Sequence, residues 1–141
     1  MTYLQWQDRL DTGIGVIDEQ HKRIVAYINS LYDVSHQTSP CIEELKQIIN
    51  ELMDYTLSHF AFEESLIEQA KFKDFDKHKE KHDKFSNLIH SFQRKFKNGE
   101  EITEDLLTLL NNWLFGHILH EDAQYIEIVK EHFNIKNTPS K

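Results

Sequence analysis

The chain has 141 residues, 39% hydrophobic and 28% charged, which suits a single globular domain with a core large enough to do without disulfide staples. A net charge of −8 and the lack of any Lys/Arg block argue against a nucleic-acid partner, which needs a basic face to displace counterions. No apolar run approaches the roughly 20 residues that cross a bilayer, and the start has no basic-then-apolar leader, so a soluble cytoplasmic protein is expected.

Four Gly and two Pro leave few breakers, which favours long helices over many short strands. The single cysteine, Cys41, excludes an internal disulfide and fits a reducing compartment. It is expected to be an inert, partly buried thiol. Nine histidines are the unusual feature, because His is both the usual metal ligand and the usual acid or base near neutral pH.

Residues 1–17 carry Tyr3, Leu4, Trp6, Leu10, Ile14, Val16 and Ile17 without helical period and are broken by Gly13 and Gly15. They predict a non-helical arm lying across the domain with its rings buried. The first helix is expected from about Asp18 to about Val34, where Ile24, Val25, Ile28, Leu31 and Tyr32 recur every three or four residues. The second is expected from about Cys41 to Ala70, on a stripe of Leu45, Ile48, Ile49, Leu52, Tyr55, Phe60, Leu66 and Ile67. The third runs from about Asp76 to Phe96 on Phe85, Leu88, Ile89 and Phe92, and Asn98-Gly99 stops it. Thr103 is the predicted N-cap of the fourth, which runs to about Phe133. The polar stretch Asn134–Lys141 reads as a flexible tail. The expected fold is all-α: an antiparallel up-down-up-down four-helix bundle over residues 1–133 with an N-terminal non-helical arm.

Five histidines fall on the inward stripes: His21, His59, His78, His82 and His117. Glu63 follows His59 at i+4, so both leave one side of the helix, and His78 and His82 are likewise i, i+4. A lone histidine on such a stripe reads as a hydrogen-bonded core residue. Five imidazoles and a carboxylate in one small core instead leave many buried polar atoms to satisfy, and a metal would satisfy them together. His36, His90, His120 and His132 fall off the stripes.

The fourth helix has a phase shift. At about 100° per residue, Leu110, Trp113, Leu114 and His117 share one direction, while Asp122, Tyr125, Ile126 and Val129 point roughly 100° further round. One inserted residue accounts for that. A π-bulge between about Ile118 and Asp122 restores a single inward face, with Asp122 in and Glu121 out.

Together, Ile17-Asp18-Glu19-Gln20-His21, His59-Phe60-x-x-Glu63-Glu64, His78-x-x-x-His82 and Trp113-Leu114-x-x-His117-x-x-x-x-Asp122 resemble the signature of the hemerythrin family in its single-domain bacterial form. The resemblance spans nearly the whole chain. It implies two iron ions per chain: one held by His78, His82 and His117, the other by His21 and His59. Glu63 and Asp122 would bridge both irons, with an oxo or hydroxo group as third bridge. It further implies reversible binding of molecular oxygen at the iron with two histidines. Ile24, Phe60, Trp113, Leu114 and Ile118 would wall the oxygen pocket, and Tyr125 would hydrogen-bond behind the ligands or simply pack in the core. Such a set fills about eleven of the roughly twelve places that two octahedral cations offer, which leaves one open. Zinc, with its preference for about four ligands, fits less well. An oxygen sensor, or a di-iron enzyme scavenging peroxide or nitric oxide, is the alternative. The nitrogen-rich set argues for a carrier over an enzyme, because ferritin-like di-iron enzymes use carboxylate-rich shells.

Overall fold

A computed structural model describes residues 3–135, and the predicted tail lies outside them from residue 136 on. Helix α1 spans Gly15–Ser35, α2 Ile42–Gln69, α3 Phe75–Lys97, α4 Thr103–Gly116 and α5 Ile126–His132. Between α4 and α5 the chain stays helical in other forms, as a π-helix over His117–Glu121 and a 3-10 turn over Asp122–Gln124. From α4 to α5 it therefore forms one broken fourth rod. The four rods alternate in direction as an up-down-up-down bundle, and no strand occurs among the described residues.

The ends of the helices follow local chemistry. α1 begins at Gly15, three residues earlier than the hydrophobic period predicts. The Asp18 carboxylate accepts the Thr12 N–H and hydroxyl, each at 2.8 Å, and the Gly13 N–H at 3.1 Å. These bonds fold the chain at Gly13, whose φ of +82° suits glycine, and start the helix ahead of the apolar stripe. Thr103 is not a cap: it is already helical, and its N–H is accepted by the Glu101 carboxylate at 3.0 Å. Gly99, at φ +86°, ends α3 as predicted.

The arm lies against the bundle, but not as expected. Its buried apolar side chains are the aliphatic Leu4, Leu10, Ile14 and Ile17, while Tyr3 and Trp6 are half-buried. Asn29 brackets Leu4, donating to its carbonyl and accepting its N–H, both at 2.8 Å. Residues Asp8–Leu10 form a 3-10 turn, so the arm is not wholly non-helical. Cys41 is exposed rather than partly buried, because it sits one residue before α2 with no helix turn over it. Leu88 also stands exposed, on a flank of α3.

Two apolar cores form. The larger contains Ile24, Ile28, Leu52, Phe60, Phe85, Leu110, Leu114 and Ile118, among others. The smaller contains Ile14, Ile17, Ile67, Phe72, Tyr125 and Val129. Full burial of such side chains stabilises by about 1.5–3 kcal/mol each. The polar cluster sits between the cores.

Candidate metal centre

All seven residues predicted to gather do so. His21, His59, Glu63, His78, His82, His117 and Asp122 are each buried, and Glu63 and Asp122 have no exposed surface. The rods contribute unequally. α1 supplies His21, α2 supplies His59 and Glu63, α3 supplies His78 and His82, and the π-helix with the 3-10 turn supplies His117 and Asp122.

The ligating atoms form two groups that share Glu63. Atoms of Glu63, His78, His82 and His117 lie within 4.8 Å of one another, and so do those of His21, His59 and Glu63. The carboxylate oxygens divide between the groups. Glu63 Oε1 is 2.6 Å from His78 Nε2 and 3.0 Å from His82 Nε2, whereas its Oε2 is 3.3 Å from His59 Nε2. Asp122 Oδ1 is 2.9 Å from His117 Nε2 and 3.3 Å from His78 Nε2, whereas its Oδ2 is 3.1 Å from His21 Nε2. Glu63 thus turns one oxygen to three imidazoles and the other towards two, and Asp122 turns one oxygen to two imidazoles and the other to His21 alone.

The π-helix produces this arrangement. It widens the turn by one residue, so His117 and Asp122 both face inward. Glu121 faces out and pairs with Lys81. Deleting the exposed His120 is therefore expected to leave a regular α-helix that still presents Asp122 at i+4 from His117. Cation content should then stay near wild type. Inserting one Ala after Asp122 should instead turn Tyr125, Ile126 and Val129 about 100° outward and collapse the smaller core. Elemental analysis and thermal unfolding of both variants check this.

Several atoms at the centre have no hydrogen bond. His21 Nε2, His59 Nε2 and both Asp122 oxygens are buried and lack one, although they stand at ion-pair distances from their neighbours. His82 Nε2 faces His117 Nε2 at 3.1 Å, two imidazole nitrogens pointing at each other. Orphaned donors and acceptors in a closed core are costly, and a pair of cations between them would satisfy the whole set. The residues fit a metal.

Without a cation the centre is a tight charge cluster. Burial opposes ionisation of Glu63, but the imidazoles of His117, His59, His78 and His82 around it hold its carboxyl well below the usual range. Burial and the Glu63 charge oppose ionisation of Asp122, and the His117 imidazolium outweighs both. Burial also disfavours charged His78 and His117. The Asp122 and Glu63 carboxylates nonetheless push them up to about 9 and about 10. Burial lowers His59. The raised pair stabilises the cation-free fold fully below about pH 6.5, and that stability is lost as pH rises through about 9 to 10. At pH 7 both rings carry protons that a cation must displace. Metal uptake is thus expected to release about two protons per chain, measurable by calorimetry in buffers of different ionisation enthalpy.

The surroundings are ordered and apolar. Tyr125 is fully buried, and its hydroxyl donates to Glu63 Oε2 at 3.0 Å. Burial, with the nearby carboxylate charges, raises the phenol well above its usual value, so it stays a donor. Ile24, Phe60, Leu114 and Ile118 are buried beside the cluster, and Trp113 is half-buried. Phe60 stacks on His82 with centroids 3.9 Å apart, and Trp113 on His117 at 4.6 Å. Two of the five predicted wall residues therefore cover the three-histidine side. A cleft of about 490 Å³ between α3 and the fourth rod reaches Trp113 and His117 from solvent. His36, His90, His120 and His132 are all exposed.

Two contacts escape the sequence reading. His59 Nδ1 is 2.6 Å from Gln20 Oε1, and His82 Nδ1 is 2.9 Å from Glu64 Oε2. Gln20 and Glu64 sit beside His21 and Glu63 in the chain and off the inward stripes, so helical phase gives no signal for either.

The hemerythrin HHE cation binding domain matches residues 12–129. A bacteriohemerythrin of Pseudomonas aeruginosa is 45% identical over 130 residues, covering 92% of this chain and 84% of that protein. One from Methylococcus capsulatus is 33% identical over 115 residues, covering 81% of this chain and 86% of that protein. Among solved structures, a wild-type hemerythrin crystal structure superposes with a TM-score of 0.84 at 30% identity, covering 90% of this chain and 98% of that one. No helix among the described residues is long and apolar enough to cross a membrane.

Proposed function

The chain belongs to the hemerythrin family, and from that premise we propose that residues 1–133 form one domain that holds two iron ions and binds molecular oxygen reversibly. The observation that carries this reading is the divided carboxylates. Glu63 and Asp122 each point one oxygen at His78 or His117 and the other at His59 or His21. That is the arrangement of two bridging ligands between two cations. His78, His82 and His117 would hold one iron, and His21 and His59 the other. The donor sets are unequal, so the second iron keeps a place free for a small ligand. When bound, the irons supply the electrons that oxygen takes up on binding and returns on release.

The protein's own residues do the rest. Glu63 and Asp122 neutralise charge that would otherwise be buried alone. Tyr125 holds Glu63 Oε2 in position through its hydroxyl. Ile24, Phe60, Trp113, Leu114 and Ile118 exclude water, which favours release of the same gas over its further reaction. A set of five imidazoles to two carboxylates supports a carrier rather than an enzyme. The roles that follow are storage, delivery or buffering of oxygen in the cytoplasm, where a free thiol such as Cys41 persists.

An anaerobic titration tests this. Adding oxygen to the reduced, iron-loaded protein should raise a visible charge-transfer band that vanishes under argon and returns with oxygen. Irreversible bleaching with steady consumption of a reductant would point to an enzyme instead.

A further inference from the structure

We propose that Glu64 is a positioning residue that makes the three-histidine half of the centre the electron-rich half, so that this half gives up an electron first. The proposal rests on the di-iron reading above. It concerns the outer nitrogens of two imidazoles.

His59 and His82 both turn Nε2 to the centre and Nδ1 to a side-chain oxygen. An acceptor at Nδ1 fixes the proton there and leaves the Nε2 lone pair for a cation. The two acceptors differ by a full charge. Behind His59 stands the neutral amide oxygen of Gln20 at 2.6 Å. Behind His82 stands the carboxylate of Glu64 at 2.9 Å.

A carboxylate draws the Nδ1 proton harder than an amide does, and so raises the donor strength of Nε2. A stronger donor favours the more highly charged cation. The effect is little screened, because the His82 side chain is 1% exposed and that of Glu64 only 18%. Lys79 feels the Glu64 charge, but it is exposed and hydrogen-bonds to Asp83 at 3.0 Å, so it offsets the Glu64 charge only in part.

Among the described residues of the centre, the other ligands do not cancel this bias. Glu63 and Asp122 each reach both halves and favour neither by charge. The third histidine adds to the same side. His21 Nδ1 is buried with no hydrogen-bond partner, so the two-histidine half gains no compensating acceptor there. Glu64 therefore directs the first oxidation to the His78, His82 and His117 side. The half with the free place keeps its electron longest.

The test is a redox titration of the iron-loaded full chain with one-electron mediators. Glu64→Gln keeps the acceptor and removes the charge. It should retain both irons and shift the first oxidation equilibrium towards the reduced form by about tenfold, about 59 mV for one electron. Gln20→Glu should shift it the other way. In the combined exchange, Mössbauer spectra of the one-electron-oxidised form should move the ferric signal to the two-histidine half. Both single variants carrying two irons with equilibria within about twofold of wild type would overturn the proposal, since a purely structural contact predicts that result. If Glu64→Gln loses iron, Gln20→Glu decides alone: no downward shift overturns it. Fewer than two irons in the wild type would instead overturn the di-iron reading. In that event ¹⁵N spectra of the metal-free chain still test the contact, because His82 should carry a proton on Nδ1 in wild type, and an Nδ1 without a proton contradicts the assignment.

Discussion

Replacing Glu63 with Ala is expected to strip the chain of most of its iron, with a loss of affinity of at least roughly hundredfold, or about 2.7 kcal/mol. Glu63 is the one residue common to both groups of ligating atoms, so its loss weakens both cations together. The fold should suffer as well. Tyr125 loses the acceptor of its hydroxyl, and His78 and His82 lose the carboxylate oxygen nearest their Nε2 atoms. Removing one partner from a buried ionic cluster costs about 3–5 kcal/mol. Elemental analysis and urea unfolding measure the two effects. Glu63→Gln separates them: it should recover much of the packing and little of the iron. A Glu63→Ala protein with both metals at full occupancy would refute the bridging role.

The second large effect is expected at Phe60. This ring is 3% exposed, stacks on His82 and meets Trp113 edge-on with centroids 5.4 Å apart. Phe60→Ala should cost about 3–5 kcal/mol, because the transfer energy of the ring is lost and a cavity remains. That cavity opens beside the ligands. Water entering it removes the dry wall, so bound oxygen should be lost faster and the irons should oxidise faster. Stopped-flow release and the rate of spontaneous oxidation measure this. Phe60→Leu keeps most of the volume and should fall between wild type and Ala. Unchanged oxidation in Phe60→Ala, with the loss of stability confirmed, would reduce the ring to packing alone.

Much of this site can be read from the chain because helical phase is a strong constraint. His21, His59, His78, His82 and His117 each continue an apolar stripe, and a polar residue there has nowhere to go but inward. Asp122 is the more telling case. Simple i+4 spacing from His117 selects Glu121. The direction of Tyr125, Ile126 and Val129 selects Asp122, and the π-helix over His117–Glu121 is the local form that reconciles them. Downstream apolar residues carry the information because the smaller core must be filled from the same rod.

What the sequence hides depends on contacts between rods or on short polar bonds. Gln20 and Glu64 reach across to histidines on other helices, and nothing in their own periodicity marks them. The early start of α1 comes from one carboxylate, Asp18, closing on Thr12 and Gly13. Apolar spacing is blind to such a bond. The arm lacks a period altogether, so which of its side chains turn inward is decided by Asn29 gripping Leu4 rather than by any pattern. Likewise, the phase that puts Phe60 and Trp113 inward does not say which histidine each ring covers.

The central claim is that two cations lie between these seven side chains. Anomalous diffraction at the iron edge from crystals of the iron-loaded protein tests it most directly. Two peaks about 3.5–4 Å apart are expected, one beside His78, His82 and His117 and the other beside His21 and His59, with Glu63 and Asp122 spanning the gap. A single peak, or peaks lying away from these residues, would contradict it.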